Sequence, residues 1–203
     1  MKKKSTDYIK KYKICVSGSA AIDHCAPKAK ELAKEVGRQI VKQGAILLTG
    51  ATTGIPYWAA VGANEANGVS IGFSPAGTEK EHVKVYRLPT DMFDVIVYTG
   101  FGYAGRNLLL TRASDAVITI CGRMGTLNEF TVAFEDKKPL GVLEGSGGTA
   151  DKIDYLLKGG YRGRKKVIGS MYPNILVQEI IKAIKIEKEG NHKGRTKQIA
   201  KNK

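Results

Sequence analysis

Apolar residues along this chain fall into short unbroken runs and into four-residue rhythms, and the two kinds alternate. KICVSG reads as a first strand ending at Gly18. PKAKELAKEVGRQIVKQG follows, with Pro27 at a helix start, Leu32, Val36 and Ile40 at four-residue spacing, and Gly44 as the stop. AILLTG predicts a second strand, IPYWAAVGANEANG a helix of small residues, and VSIGFSP a third strand. DVIVYTG, DAVITIC and PLGVLEG are further short apolar runs, the middle one leading into the helix TLNEFTVAFED. TADKIDYLLKGG and NILVQEIIKAIKIEKEG read as the last helices, with KKVIG an edge strand between them.

Strands that are apolar throughout imply a parallel sheet covered on both faces. Right-handed crossovers then give a doubly wound, Rossmann-like α/β fold with a mainly parallel sheet. In that architecture ligands sit beyond the carboxyl ends of the strands, near the switch in strand order. Three glycine-rich stretches fall at such ends: SGSA (17–20), TGATTG (49–54) and CGRMGT (121–126). The irregular segment 75–92 is the longest connection and reads either as a lid or as a surface loop.

The chain has 203 residues and a net charge of +14. That length suits one well-buried domain. Residues 1–13 carry six Lys against one Asp, and residues 188–203 six Lys or Arg against one Glu, so most of the excess lies at the two ends. The expected organisation is a basic extension at 1–12, one nucleotide-binding domain at 13–188, and a basic, disordered tail at 189–203. Such ends favour solubility and allow weak, salt-sensitive contact with nucleic acid. No apolar run approaches the roughly 20 residues of a membrane helix, and the basic start lacks a signal peptide's apolar region. The expectation is a cytoplasmic protein without a membrane partner.

Cys15, Cys25 and Cys121 form no CxxC pair and show no metal spacing, and His24, His82 and His192 are as scattered. This pattern fits a reducing compartment and argues against a zinc site. Cys121 reads as a small buried filler rather than a nucleophile, although a helix entrance can lower a thiol's pKa.

Glycine lets backbone amides approach a ligand, and a helix start presents unpaired N–H groups to an anion. Phosphate is the simplest ligand for Gly18, Ser19, Gly50, Thr52, Thr53 and Gly54, and for Gly122, Arg123, Met124, Gly125 and Thr126. No GxGxxG fingerprint or Walker loop is present, so dinucleotide reduction and ATP hydrolysis lack their usual support. Glu129 follows Thr126 by one helical turn and points near the same strand end. Arg106, in GYAGRNLLL, opens the preceding helix within reach of the same crevice. Taken singly, Glu129 and Arg106 read as ordinary surface groups and each glycine loop equally well as a tight turn; the three loops together favour a pocket.

AGRNLLLTRASDAVITICGRMGTLNEF resembles the LOG family, named for LONELY GUY and long mislabelled as lysine decarboxylases, within the Rossmann-like SLOG superfamily. The family signature is Pro-Gly-Gly-x-Gly-Thr-x-x-Glu, with an arginine about twenty residues before the threonine. Thr126, Glu129 and Arg106 match it, and Arg106-Asn107 in place of Arg-Lys is most similar to a bacterial and archaeal branch. The stretch from LLTGATTG through FSP is similar to the family's second strand end, small-residue helix and third strand.

The resemblance implies hydrolysis of the N-glycosidic bond of a nucleoside 5′-monophosphate to free base and ribose 5-phosphate. Arg106 and Glu129 would then be the catalytic pair; Gly122, Gly125 and Thr126 would hold phosphate or ribose, beside Asn107. It also implies a homodimer and requires no metal or redox cofactor. The departures are Cys121 for the signature proline, Arg123 for its second glycine, and Gly50-Ala51-Thr52 where the family runs to glycines. Relatives that sense nucleotide-like signals or carry the molybdenum cofactor supply the alternative, a non-catalytic binding module. DNA-processing protein A, a remote relative, supplies a DNA-handling one.

Overall fold

The computed structural model describes residues 11–163 and 167–201, with side chains to residue 189. Seven strands form one sheet in the order β4-β3-β2-β1-β5-β6-β7, and every pairing is parallel. They are β1 (Lys13–Gly18), β2 (Ile46–Thr49), β3 (Ser70–Ser74), β4 (Val95–Tyr98), β5 (Ala116–Ile120), β6 (Leu140–Leu143) and β7 (Val167–Ser170). The α-helices are α1 (Ala29–Lys42), α2 (Ile55–Glu65), α3 (Glu79–Lys84), α4 (Gly102–Ala113), α5 (Met124–Glu135), α6 (Ile153–Gly159) and α7 (Pro173–Lys201).

Alternating side chains of the central strands feed two cores, which is why these strands carry no polar stripe. Ile14 and Val16 of β1 and Ile118 and Ile120 of β5 pack with α1, α2 and α7. Cys15 and Val117 point the other way, into a second core with Leu110 of α4, Phe130 and Ala133 of α5, and Ile153 and Leu157 of α6. The doubly wound fold therefore follows the apolar rhythm. On α1 the buried stripe is Ala29, Ala33, Val36, Gly37 and Ile40. Gly37 and Gly62 let α1 and α2 touch backbone to backbone: a Cβ at Gly37 would overlap the Ala59 carbonyl, and one at Gly62 that of Lys34.

β1 lies centrally, with β2, β3 and β4 on one side and β5, β6 and β7 on the other. The chain changes direction between β1 and β5, whose ends meet where Gly18 pairs with Ile120. That is the switch point at which an open α/β sheet leaves a crevice.

Two segments take definite form. Residues 75–92 are built into the domain: α3 carries His82, fully buried, whose Nδ1 lies 2.8 Å from Ser74 Oγ and whose Nε2 lies 3.0 Å from the Pro89 carbonyl. With both ring nitrogens partnered, His82 ties this segment to the end of β3, while much of it lies exposed on the surface. The last helix continues to Lys201, past residue 189, where a disordered tail is expected. Its apolar face, Leu176, Val177, Ile180, Ile181 and Ile184, docks on the sheet, and Lys188 closes it with an ion pair to Asp115 at 3.0 Å. The basic extension at 1–12 lies almost wholly outside the described residues. Among the described residues no helix is long and apolar enough to cross a membrane.

Candidate functional site

The crevice at the β1/β5 switch is a cavity of about 350 Å³, within the roughly 300–1,000 Å³ typical of small-ligand sites. All three glycine-rich strand ends reach it: Gly18 and Ser19 after β1, Gly50 and Thr52 after β2, and Arg123, Gly125 and Thr126 after β5. Arg106, Asn107 and Glu129 complete its polar wall. The other four expected residues stand behind it. The Thr53 hydroxyl donates to the Ala20 carbonyl at 3.2 Å. Gly54, at φ 69°, caps α2, where a Cβ would overlap the Ser19 and Ala20 carbonyls. Gly122 packs on Thr126, and Met124 points to solvent.

Glu129 is 6% exposed and accepts a hydrogen bond from Ser17 Oγ. Burial raises its carboxyl above the ordinary value of 4.5, while the Arg106 charge and the Ser17 hydroxyl oppose the rise. A carboxylate kept from water, yet still supported, is suited to accept a proton or face a developing cation. Arg106 lies in the second turn of α4 rather than at its opening, and is 5% exposed. Its Nη1 donates to the Gly50 carbonyl and, at 3.1 Å, to that of Phe73. Its Nε has no partner, nor does the buried Ser19 hydroxyl. Buried polar atoms are nearly always paired, so these two unpaired groups stand out among the residues lining the crevice.

The loop after β5 supplies anion chemistry. Arg123 stands at the N-cap of α5 without a side-chain cap, and the first turn holds no acidic residue. The first amides of that helix are free of intrahelical partners, and the helix dipole there is uncompensated. Arg123 has extended backbone, φ −130°, so the family's glycine is not needed for conformation at this point. Its side chain is exposed at the cavity wall and leaves the space open. Cys121 has φ 50°, which proline's ring forbids, so the loop leaves β5 by a path a proline-led signature cannot follow.

The cysteines require a correction. Cys25 and Cys121, 96 residues apart in sequence, form a disulfide with Cα atoms 5.6 Å apart, while Cys15 is free and buried. Cys121 is thus a cross-link between two loops and not a lone filler. No short motif announces it because the folded sheet alone brings the two loops together. His24, scattered in sequence, places Nε2 3.6 Å from Cys121 Sγ.

Ser17 is a residue of the candidate site that spacing does not single out: it begins the strand end SGSA, with its hydroxyl on Glu129. Tyr103, Leu88 and Pro56 form an apolar part of the wall. Tyr103 precedes Arg106 by three residues, the helical spacing that puts both on one face; its ring centre lies 5.8 Å from the guanidinium carbon.

Fold and crevice together define a Rossmann-like α/β protein with a cavity at its topological switch. A model of the SLOG cluster4 family matches residues 11–174, and the chain belongs to that family. It is 26% identical over 132 residues to an uncharacterized protein of Archaeoglobus fulgidus, covering 65% of this chain and 82% of that one. The solved structure of TM1055 is similar with a TM-score of 0.72 at 26% identity, over 84% of this chain and 99% of the other. The molybdenum cofactor binding protein of the phototrophic bacterium Rippkaea orientalis is similar with a TM-score of 0.69 at 29% identity, over 87% and 98%.

Proposed function

We propose that this chain binds a nucleoside 5′-monophosphate in the crevice and hydrolyses its N-glycosidic bond, releasing free base and ribose 5-phosphate. The observation that carries this reading is the buried Glu129 carboxylate, held by Ser17 one helical turn from the free amides of α5. The phosphate sits on the amides and hydroxyl of residues 124–126, with Arg123 adding a charge-assisted contact. The base lies against Tyr103, Leu88 and Pro56. The ribose lies between, within reach of Ser19 and Asn107.

Water attacks the anomeric carbon as the bond to the base lengthens, and Glu129 takes the water's proton. The departing base keeps the electron pair of the broken bond and is protonated from solvent. The carboxylate also faces the positive charge that develops on the sugar. Arg106, anchored to the Gly50 and Phe73 carbonyls, turns its unpartnered Nε to the ligand and lowers the Glu129 pKa. No step calls for a metal or redox cofactor. The site of action is the cytoplasm, and the functional domain is 13–188, flanked by basic ends that make weak nucleic-acid contacts.

The same reading includes a homodimer. Its support is that Leu108 and Leu109 of α4 and Val95 and Val97 of the edge strand β4 are exposed. Apolar patches of this kind mark contact surfaces.

A second reading is favoured by the likeness to the molybdenum cofactor binding protein: a non-catalytic module for a nucleotide-like phosphorylated ligand, held by the same loops. A screen of nucleoside monophosphates, with base release followed by chromatography and affinity by calorimetry, separates the two. Base release that disappears in Glu129→Gln supports hydrolysis. Tight binding without release selects the module. Absence of binding at the crevice overturns both.

A further inference from the structure

The hydrolytic reading uses neither the disulfide nor His24, yet both stand at the root of the phosphate loop. Cys121 is the residue at which β5 becomes the loop, and Cys25 belongs to the connection between β1 and α1. That connection begins with Ser19 and Ala20, on one wall of the cavity, and the loop continues through Arg123 to Thr126 on another. The cross-link therefore clamps two walls of one site together.

A third segment holds the clamp from behind. Ser146 Oγ accepts from the Cys121 amide at 2.8 Å, and the Ser146 carbonyl accepts from the Ala26 amide at 3.0 Å. Thr149 donates to the Gly122 carbonyl through both its amide and its hydroxyl, each at 3.0 Å. The clamp holds Cys121 at φ 50°, a conformation a non-glycine residue keeps only when its surroundings over-determine it. The disulfide is one of those surroundings.

We propose that Cys25, Cys121 and His24 form a thiol–disulfide exchange site for a dithiol reductant, and that reducing it loosens the phosphate loop. Access sets the order of events. Cys121 is fully buried and Cys25 half-buried, so the reductant's thiolate attacks Cys25 Sγ. The bond between the two sulfurs breaks, its electron pair leaves on Cys121 Sγ, and a mixed disulfide forms at Cys25. His24 Nε2, 3.6 Å from Cys121 Sγ, donates its proton to that departing thiolate.

The reductant's second thiol, as thiolate, attacks its own sulfur in the mixed disulfide and leaves as a cyclic disulfide. Cys25 departs as thiolate and takes a proton from water. His24 Nε2 regains its proton from water, so two electrons and two protons enter the chain in all, and a disulfide oxidant reverses the sequence. Cys15 is a spectator, because burial, ahead of the Glu129 charge, pushes its thiol well above its usual range. In a reducing compartment disulfides are transient and serve sensing or catalysis. An exchangeable bond is the form such a compartment permits.

The effect on ligand affinity rests on the nucleotide reading; the exchange and the loosening do not. The test compares the full chain oxidised with oxidised glutathione and reduced with dithiothreitol. Alkylation and mass analysis count its thiols, and hydrogen exchange follows residues 19–26 and 121–127. Reduction is expected to expose Cys25 and Cys121 to alkylation and to speed exchange in both segments about tenfold. AMP affinity is expected to fall about tenfold.

Cys25→Ser should behave as the reduced chain whatever the reductant. His24→Ala should slow reduction about tenfold and leave both end states unchanged. Equal hydrogen exchange in the two redox states overturns the proposal, as does a chain whose thiols stay free in oxidant. A reduced chain that takes up one added Zn²⁺ on these three groups and stays as rigid as the oxidised one also overturns it. If AMP binds neither form the nucleotide reading fails, and hydrogen exchange still decides whether the loop is released.

Discussion

The strand ends after β2 and β5 are both rich in glycine and threonine, and each holds a non-glycine residue in the left-handed region, Ala51 at φ 50° and Cys121 at φ 50°. They use their glycines differently. Gly50 exists for a side chain: a Cβ there would overlap the Arg106 guanidinium, which the Gly50 carbonyl binds. The β2 loop is accordingly committed within the protein, with the Ala51 amide on Thr49 Oγ1 at 3.2 Å and the Thr53 hydroxyl on Ala20. Gly125, at the start of α5 just past the β5 loop, has nothing within 4 Å of a Cβ and faces the cavity. One loop builds the seat of a buried cation; the other presents free amides to a ligand. Similar composition therefore says little about role until the neighbours are known.

The largest effect should come from the carboxylate that both loops serve. Glu129→Gln keeps the shape and the Ser17 contact but removes the charge. Base release from AMP is expected to fall by about 10²–10⁴, with nucleotide affinity measured by calorimetry nearly unchanged. Unaltered turnover would remove Glu129 from the chemistry.

Next in size is the contrast between the two glycines. Gly50→Ala should displace Arg106, leave a buried donor without its acceptor and destabilise the chain by about 1–3 kcal/mol, seen as a lower Tm and weaker AMP binding. Gly125→Ala should stabilise the helix start by about 0.5–1 kcal/mol and yet weaken AMP binding, because its methyl enters the ligand's space. Equal Tm changes in the two variants would erase the distinction between the loops.

The pH response sharpens the comparison from the electrostatic side. The Glu129 carboxyl is raised above 4.5, chiefly by burial. A raised carboxyl contributes stability that is fully present below its unfolded value and is lost as pH climbs through the folded one. The Tm of wild type minus that of Glu129→Gln should therefore decline from about pH 4.5 upward. Base release should rise over the same range, because the base must be ionised. A rate that falls as pH rises through that window would assign Glu129 as an acid. The smallest effect is expected from Arg123→Ala, an exposed cation: a few-fold loss of AMP affinity, reduced further by salt, with no change in Tm.

The sequence by itself determined the alternation of strands and helices, the all-buried character of β5 and the location of three loops at strand ends. Each of these is written in local periodicity, and burying the apolar residues admits few alternatives. It also placed Thr126 and Glu129 one turn apart on α5, since helical spacing is a local property. Only the tertiary structure decided that Arg106 is buried on the Gly50 and Phe73 carbonyls, that Ser17 hydrogen-bonds to Glu129, and that Cys25 reaches Cys121. These pairs lie 33 to 112 residues apart in sequence. No spacing rule relates them, because they meet only when parallel pairing brings the strand ends together at the switch between β1 and β5.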